Sequence, residues 1–171
     1  VTPASPAPRR HVVLYLFALV LACVCVAGGV AAYRTYDNRE ATLVEQERYG
    51  DVVAAASQEA LALVNIDYRD LETTYDTVRA GATGQFLKEY TDSWDEQVDL
   101  FKQSKSVSTG EIRAAAVSTI DDDSATVMVV VEGTAQNTAT GNEPQQRRYR
   151  WRLDVVNVDG DWLTSKLEFV G

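Results

Sequence analysis

Histidine and cysteine are nearly missing from this chain. It has one His, His11, and two Cys, Cys23 and Cys25, so nothing beyond residue 25 carries either type. Nucleophilic catalysis through a Cys–His or Ser–His pair is thereby excluded for the long C-terminal part. A zinc site draws on the same ligand types and is equally disfavoured. Two apart, Cys23 and Cys25 point to different helix faces and are poorly placed to bridge each other. The C-terminal part therefore folds without disulfides. Positive charge is also short. The whole chain carries −9 and its first 32 residues +2, which leaves −11 for the rest. Nucleic-acid binding needs a basic footprint and is set aside, and the acidity reads most simply as solubility. Asp121-Asp122-Asp123 lacks the spaced ligands of a calcium loop and fits a hairpin tip better. Paired carboxylates acting as acid and base cannot be told from chance pairs among 25 acidic residues. No pattern calls for a cofactor.

What is present is one long apolar run. Val12 to Ala32 is 21 residues without a charge. As a helix it would span roughly 31 Å, about the hydrocarbon thickness of a bilayer. Arg9 and Arg10 precede it with no acid nearby, whereas Arg34 and Arg39 after it are diluted by Asp37, Glu40, Glu45 and Glu47. The positive-inside rule then puts the N-terminus in the cytoplasm and the C-terminal domain outside. Three other readings stay open: a cleaved signal peptide ending near Val30-Ala31-Ala32, a lipoprotein with a lipidated Cys23, and a twin-arginine signal at Arg9-Arg10. The length of the run favours an uncleaved anchor. The chain opens with Val rather than Met, which suggests a start codon read literally or a missing N-terminus.

The expected organisation follows. Residues 1–11, rich in Pro and Ala, form a disordered cytoplasmic tail. Residues 12–32 form the transmembrane helix, and residues 33–48 a helical stalk. Residues 49–171 form an extracytoplasmic α+β domain. Its first helix carries an apolar stripe through Tyr49, Val52, Val53, Ala56, Ala60, Leu63 and Val64, and breaks at Asn65-Ile66-Asp67. Tyr68, Leu71, Tyr75 and Val78 mark a second helix ending near Gly81. A third starts at Thr83-Gly84 with a face of Phe86, Leu87, Tyr90, Trp94, Val98 and Phe101, read as core. From Glu111 the period becomes two. Four strands are expected: Ile112 to Ile120, Ala125 to Thr134, Arg147 to Val158 with a bulge after Val155, and Asp161 to Val170. Asp159-Gly160 is the strongest hairpin signal. Val127 to Val131 are apolar on both faces, as in a central strand or a pocket wall. Along the third strand Arg148, Arg150 and Arg152 alternate with Tyr149, Trp151 and Leu153. This basic stripe is either a solvated face or a docking surface for an acidic partner or lipid headgroups. Helices followed by an antiparallel meander make an α+β domain, a bent sheet around helices.

Asp67-Tyr68-Arg69-Asp70-Leu71 and Thr83-Gly84-Gln85-Phe86 with Tyr90 resemble the helical signature of the Mce-associated membrane proteins of actinobacteria. The tail resembles it too, from the Ala/Val strand through the Asp-rich turn to Asp159-Gly160-Asp161-Trp162-Leu163. The Arg run of the third strand is denser than that pattern. The resemblance implies a cone-shaped domain similar to nuclear transport factor 2, with helices packed on a curved antiparallel four-stranded sheet. It also implies a non-catalytic accessory subunit beside Mce lipid importers of sterols or fatty acids, with Mce proteins and their permeases as partners. A bitopic scaffold of a type IV secretion channel, a small cyclase-like enzyme and a lipid carrier are the competing readings.

Overall fold

The computed structural model describes residues 45–170. The expected tail, the transmembrane helix and most of the stalk lie outside the described residues. Among those described, no helix is long and apolar enough to cross a membrane. From Glu47 onward the chain forms one compact unit.

Helix α1 runs over residues 45–64. Val52, Ala56, Ala60 and Val64, four apart, are at most 4% exposed. That spacing puts them on one line along the helix, where they meet the sheet. The outer members of the expected stripe behave differently: Val53 and Leu63 are half-buried and Tyr49 is exposed. Residues 65–70 reverse the chain. Ile66–Asp67 form a short strand, β1. The Asp67 carboxylate then accepts the backbone N–H of Arg69 at 3.0 Å and its Nε at 2.8 Å. These bonds from Arg69 hold the Asp67 carboxyl down at about 2. Helix α2, Leu71–Gly81, starts where the Asp70 side chain accepts the Thr73 N–H. Helix α3, Gly84–Ser104, follows a turn in which the Thr83 N–H reaches the Thr164 carbonyl at 2.8 Å.

Four longer strands complete a five-stranded antiparallel sheet in sequential order: β2 (Val107–Ile120), β3 (Ser124–Gln136), β4 (Gln145–Val158) and β5 (Asp161–Phe169). Helices on a bent antiparallel sheet were expected, but the expectation of four strands is corrected to five. The break after α1 pairs with the start of β2, Ile66 opposite Ser108 and Asp67 opposite Val107. Two residues show no periodicity, so this edge strand is invisible locally. β2 likewise begins before the alternation does. Its first part pairs Gly110 with Gly133, and a Cβ on Gly110 would fall 2.6 Å from Val64 Cγ1. Glycine is needed there so that the end of α1 can rest on the sheet.

Bulges bend the sheet. β2 carries one extra residue between Ile112 and Ala114 and another between Val117 and Thr119. The bulge expected on β4 lies instead on its partner. Asp154 faces Lys166 and Val155 faces Thr164, so Ser165 of β5 is the inserted residue. β4 keeps its phase, with Trp151, Leu153 and Val155 all buried. The Asp159-Gly160 turn is confirmed by φ of 55° and 102°, the positive pair a two-residue hairpin needs. The main core is the α1 line against Val127, Val129 and Val131 of β3 and the three inward residues of β4. β3 is the central strand: its other face carries the half-buried Met128 and Val130.

The aromatic face of α3 is only partly core. Tyr90 is buried, whereas Phe86, Leu87, Trp94, Val98 and Phe101 are half-buried. Tyr75 of α2 joins them, its ring 4.9 Å from Trp94 and 6.1 Å from Tyr90.

Candidate functional site

One acidic side chain stands where the sequence pattern calls for an apolar one. Glu59 lies seven residues after Val52 and three after Ala56, on the buried side of α1. It is 2% exposed. Its Oε1 is buried and has no hydrogen-bond partner among the described residues. Removing a carboxylate from water without a compensating charge favours the neutral acid. Burial accordingly pushes the Glu59 carboxyl up to about 8. Burial also raises the Tyr90 phenol, and the proximity of Glu59 adds to this.

Two features of the chain make room for this group. α2 ends on Gly81, where a Cβ would lie 2.1 Å from Glu59 Oε2. Any other residue there would push the carboxyl aside. Ala54, Ala55, Ala62 and Ala80, small side chains interspersed with Gln58, Thr73 and Thr77, line a groove between α1 and α2. Trp162 and Leu163, just past the β4–β5 turn, also line it. The groove is open and has a volume of about 960 Å³, with Glu59 among its lining residues. Asp51, Asp76 and Asp161 also line it and are exposed, while no Lys or Arg among the described residues does. None of these three aspartates takes part in a salt bridge among the described residues. Among the described residues the charged groups of the lining are thus all acidic, one of them, Glu59, a buried carboxyl.

The structure places Arg148, Arg150 and Arg152 in a row on β4, on the opposite face from the buried Trp151 and Leu153. They are exposed. Two of the three are already engaged. Arg148 pairs with Glu132 of β3, which Arg113 also reaches at 2.9 Å. Bonds from both arginines lower the Glu132 carboxyl. Arg152 lies 3.6 Å from both Asp154 and Glu168. Arg150 makes no salt bridge among the described residues. The row is therefore half of a mixed-charge lattice rather than a bare basic stripe. It is on a different surface from Glu59, and nothing brings the two together.

Sequence reasoning singled out the arginines and missed Glu59. The available signal was a carboxylate interrupting an apolar line, and burial is what gave it meaning. The motifs that carry the family resemblance have structural work. Asp67, Arg69 and Asp70 build the turn into α2, and Gly84, at φ +56°, opens α3.

Comparison with known proteins places this geometry. An uncharacterized protein of Mycobacterium tuberculosis, Rv1363c, is 27% identical over 163 residues, which is 95% of this chain. The chain spans 61% of the length of that relative. Among solved structures, an IcmL-like type IV secretion system protein from Legionella pneumophila is 9% identical with a TM-score of 0.57. That match covers 71% of this chain and 91% of the other. The periplasmic domain of DotI is 13% identical with a TM-score of 0.55, over 70% of this chain and 92% of the other. These likenesses establish a shared fold. The family described as uncharacterized protein Rv1363c/MT1408-like matches residues 12–171, and the chain belongs to that family.

Proposed function

We propose that this chain is a non-catalytic, membrane-anchored accessory subunit of an Mce-type lipid import complex, with its nuclear transport factor 2-like domain outside the cytoplasm. The observation that carries this reading is how the concave side of the sheet is used. Val52, Ala56, Ala60 and Val64 pack there against β3 and β4, so α1 covers that part of the sheet. An importer subunit that braces neighbours needs a rigid body on a tether. The uncharged run from Val12 to Ala32 supplies the tether in this reading. The resemblance of the Asp67–Leu71 and Thr83–Phe86 segments to Mce-associated proteins supplies the partner. Gentle solubilisation of membranes and affinity capture of the full chain should recover Mce proteins or their permeases. Capture of the chain alone would refute the assignment.

A second reading is a bitopic scaffold of a type IV secretion channel. The fold shared with the IcmL-like protein and the periplasmic domain of DotI favours it. The same capture separates the two, since secretion-channel subunits would then replace the importer proteins.

A further inference from the structure

The groove lined in part by the buried Glu59 is not used by either reading, and its chemistry is specific. A buried carboxyl without a partner is a cost that a structure keeps only where something offsets it. Four carboxyls line one groove, and among the described residues no cationic side chain lines it. A counter-cation for them would come from outside these residues. A metal ion fits poorly, because no three acidic groups converge as a ligand cluster among the described residues. Hard metal ions take six or more oxygens, whereas one carboxyl can satisfy one ammonium. The walls argue for an organic stem behind that charge. Ala54, Ala55, Ala80 and Leu163 offer apolar surface beside the carboxyl, with Trp162 alongside. The volume of about 960 Å³ is ample for a small molecule.

We propose that this groove is a binding site for a small organic cation, a primary ammonium on an apolar stem, which pairs with Glu59 while the stem lies along the alanine-lined walls. Asp51, Asp76 and Asp161 at the rim raise the local concentration of cations and guide entry. Gly81 is the residue that keeps the carboxyl in place, since a side chain there would displace it. Because burial holds Glu59 as the neutral acid below about pH 8, pairing expels its proton. Among the described residues, the titratable groups that line the groove with Glu59 are Asp51, Asp76 and Asp161, and Tyr90 is near enough to feel its charge. The inference stands independently of the accessory-subunit reading.

The test is calorimetric titration of n-butylammonium into the full-length chain in nonionic detergent, with n-butanol as the uncharged control. One butylammonium should bind per chain, more tightly at pH 8.5 than at pH 6, and n-butanol should not. At pH 7, runs in buffers of different ionisation enthalpy should show release of close to one proton. Glu59→Gln should weaken binding by roughly tenfold to a hundredfold, the loss of one charge-assisted bond. Should that variant fail to fold, the exposed pair Asp76→Asn and Asp161→Asn keeps the test open, and should weaken binding about threefold. Equal binding of butanol, an unchanged Glu59→Gln, or the absence of proton release would overturn the proposal. A capped lysine peptide that binds where butylammonium does not would also overturn it, and would reassign the groove to a partner's side chain.

Discussion

Replacing Glu59 with Gln should change how stability depends on pH more than any other single substitution in the described domain. The carboxyl has its ordinary value, near 4.5, in the unfolded chain and about 8 in the folded one. The folded value is the higher, so the folded state binds the proton more tightly. Below pH 4.5 both states are protonated and Glu59 costs nothing through ionisation. As the pH rises from 4.5 to 8 the unfolded chain ionises freely while the folded one resists, and stability falls. Above pH 8 the loss is complete. Each unit of difference is worth about 1.4 kcal/mol, so the full loss is roughly 3–5 kcal/mol, of which about 3 kcal/mol has accrued by pH 7. That is a large share of the 5–15 kcal/mol by which domains are ordinarily stable. Gln keeps the shape and polarity but cannot ionise, so its stability should be flat over this range. Urea midpoints followed by tryptophan fluorescence between pH 5 and 9 would provide the comparison. The two proteins should be similar at pH 5 and diverge steadily, Gln the more stable. Parallel profiles would refute the assignment of a buried, unpaired carboxyl at this position.

Other outcomes follow from the same packing. Gly81→Ala should destabilise by about 1–3 kcal/mol, since its Cβ would meet Glu59 Oε2 at 2.1 Å, and adding Glu59→Ala should restore part of that loss in a double-mutant cycle. Leu153→Ala, at a fully buried site between α1 and the sheet, should cost about 2–5 kcal/mol in chemical denaturation. Arg150→Ala should leave the urea midpoint nearly unchanged, because the side chain is exposed and makes no salt bridge among the described residues; a shift above about 1 kcal/mol would show a contact that the structure lacks. A reporter that is active only outside the cytoplasm, fused after Gly171, should be active in cells, and activity from a cytoplasmic reporter at that position would reverse the proposed topology.

Local pattern accounts for most of the elements. Apolar residues recurring at i, i+3, i+4 and i+7, as Tyr49, Val52, Val53 and Ala56 do, fit a helix face and not a strand, and alternation from Glu111 onward fits strands, because side-chain direction is set by local backbone geometry. Positive-φ chemistry at Asp159-Gly160 fixed the last hairpin for the same local reason. Tertiary structure decided everything that depends on what a residue meets across the chain. It turned Ile66-Asp67 from a break into a fifth strand, because a two-residue strand exists only through its partner in β2. It moved the bulge from β4 to Ser165 of β5, since a one-residue surplus belongs to a pair of strands and not to either alone. It found opposite charges for Arg148 and Arg152 on neighbouring strands, and left α3's aromatic face half exposed. Above all, it gave Glu59 its character: a carboxylate is ordinary in a sequence, and only the removal of water and partners around it makes it a site.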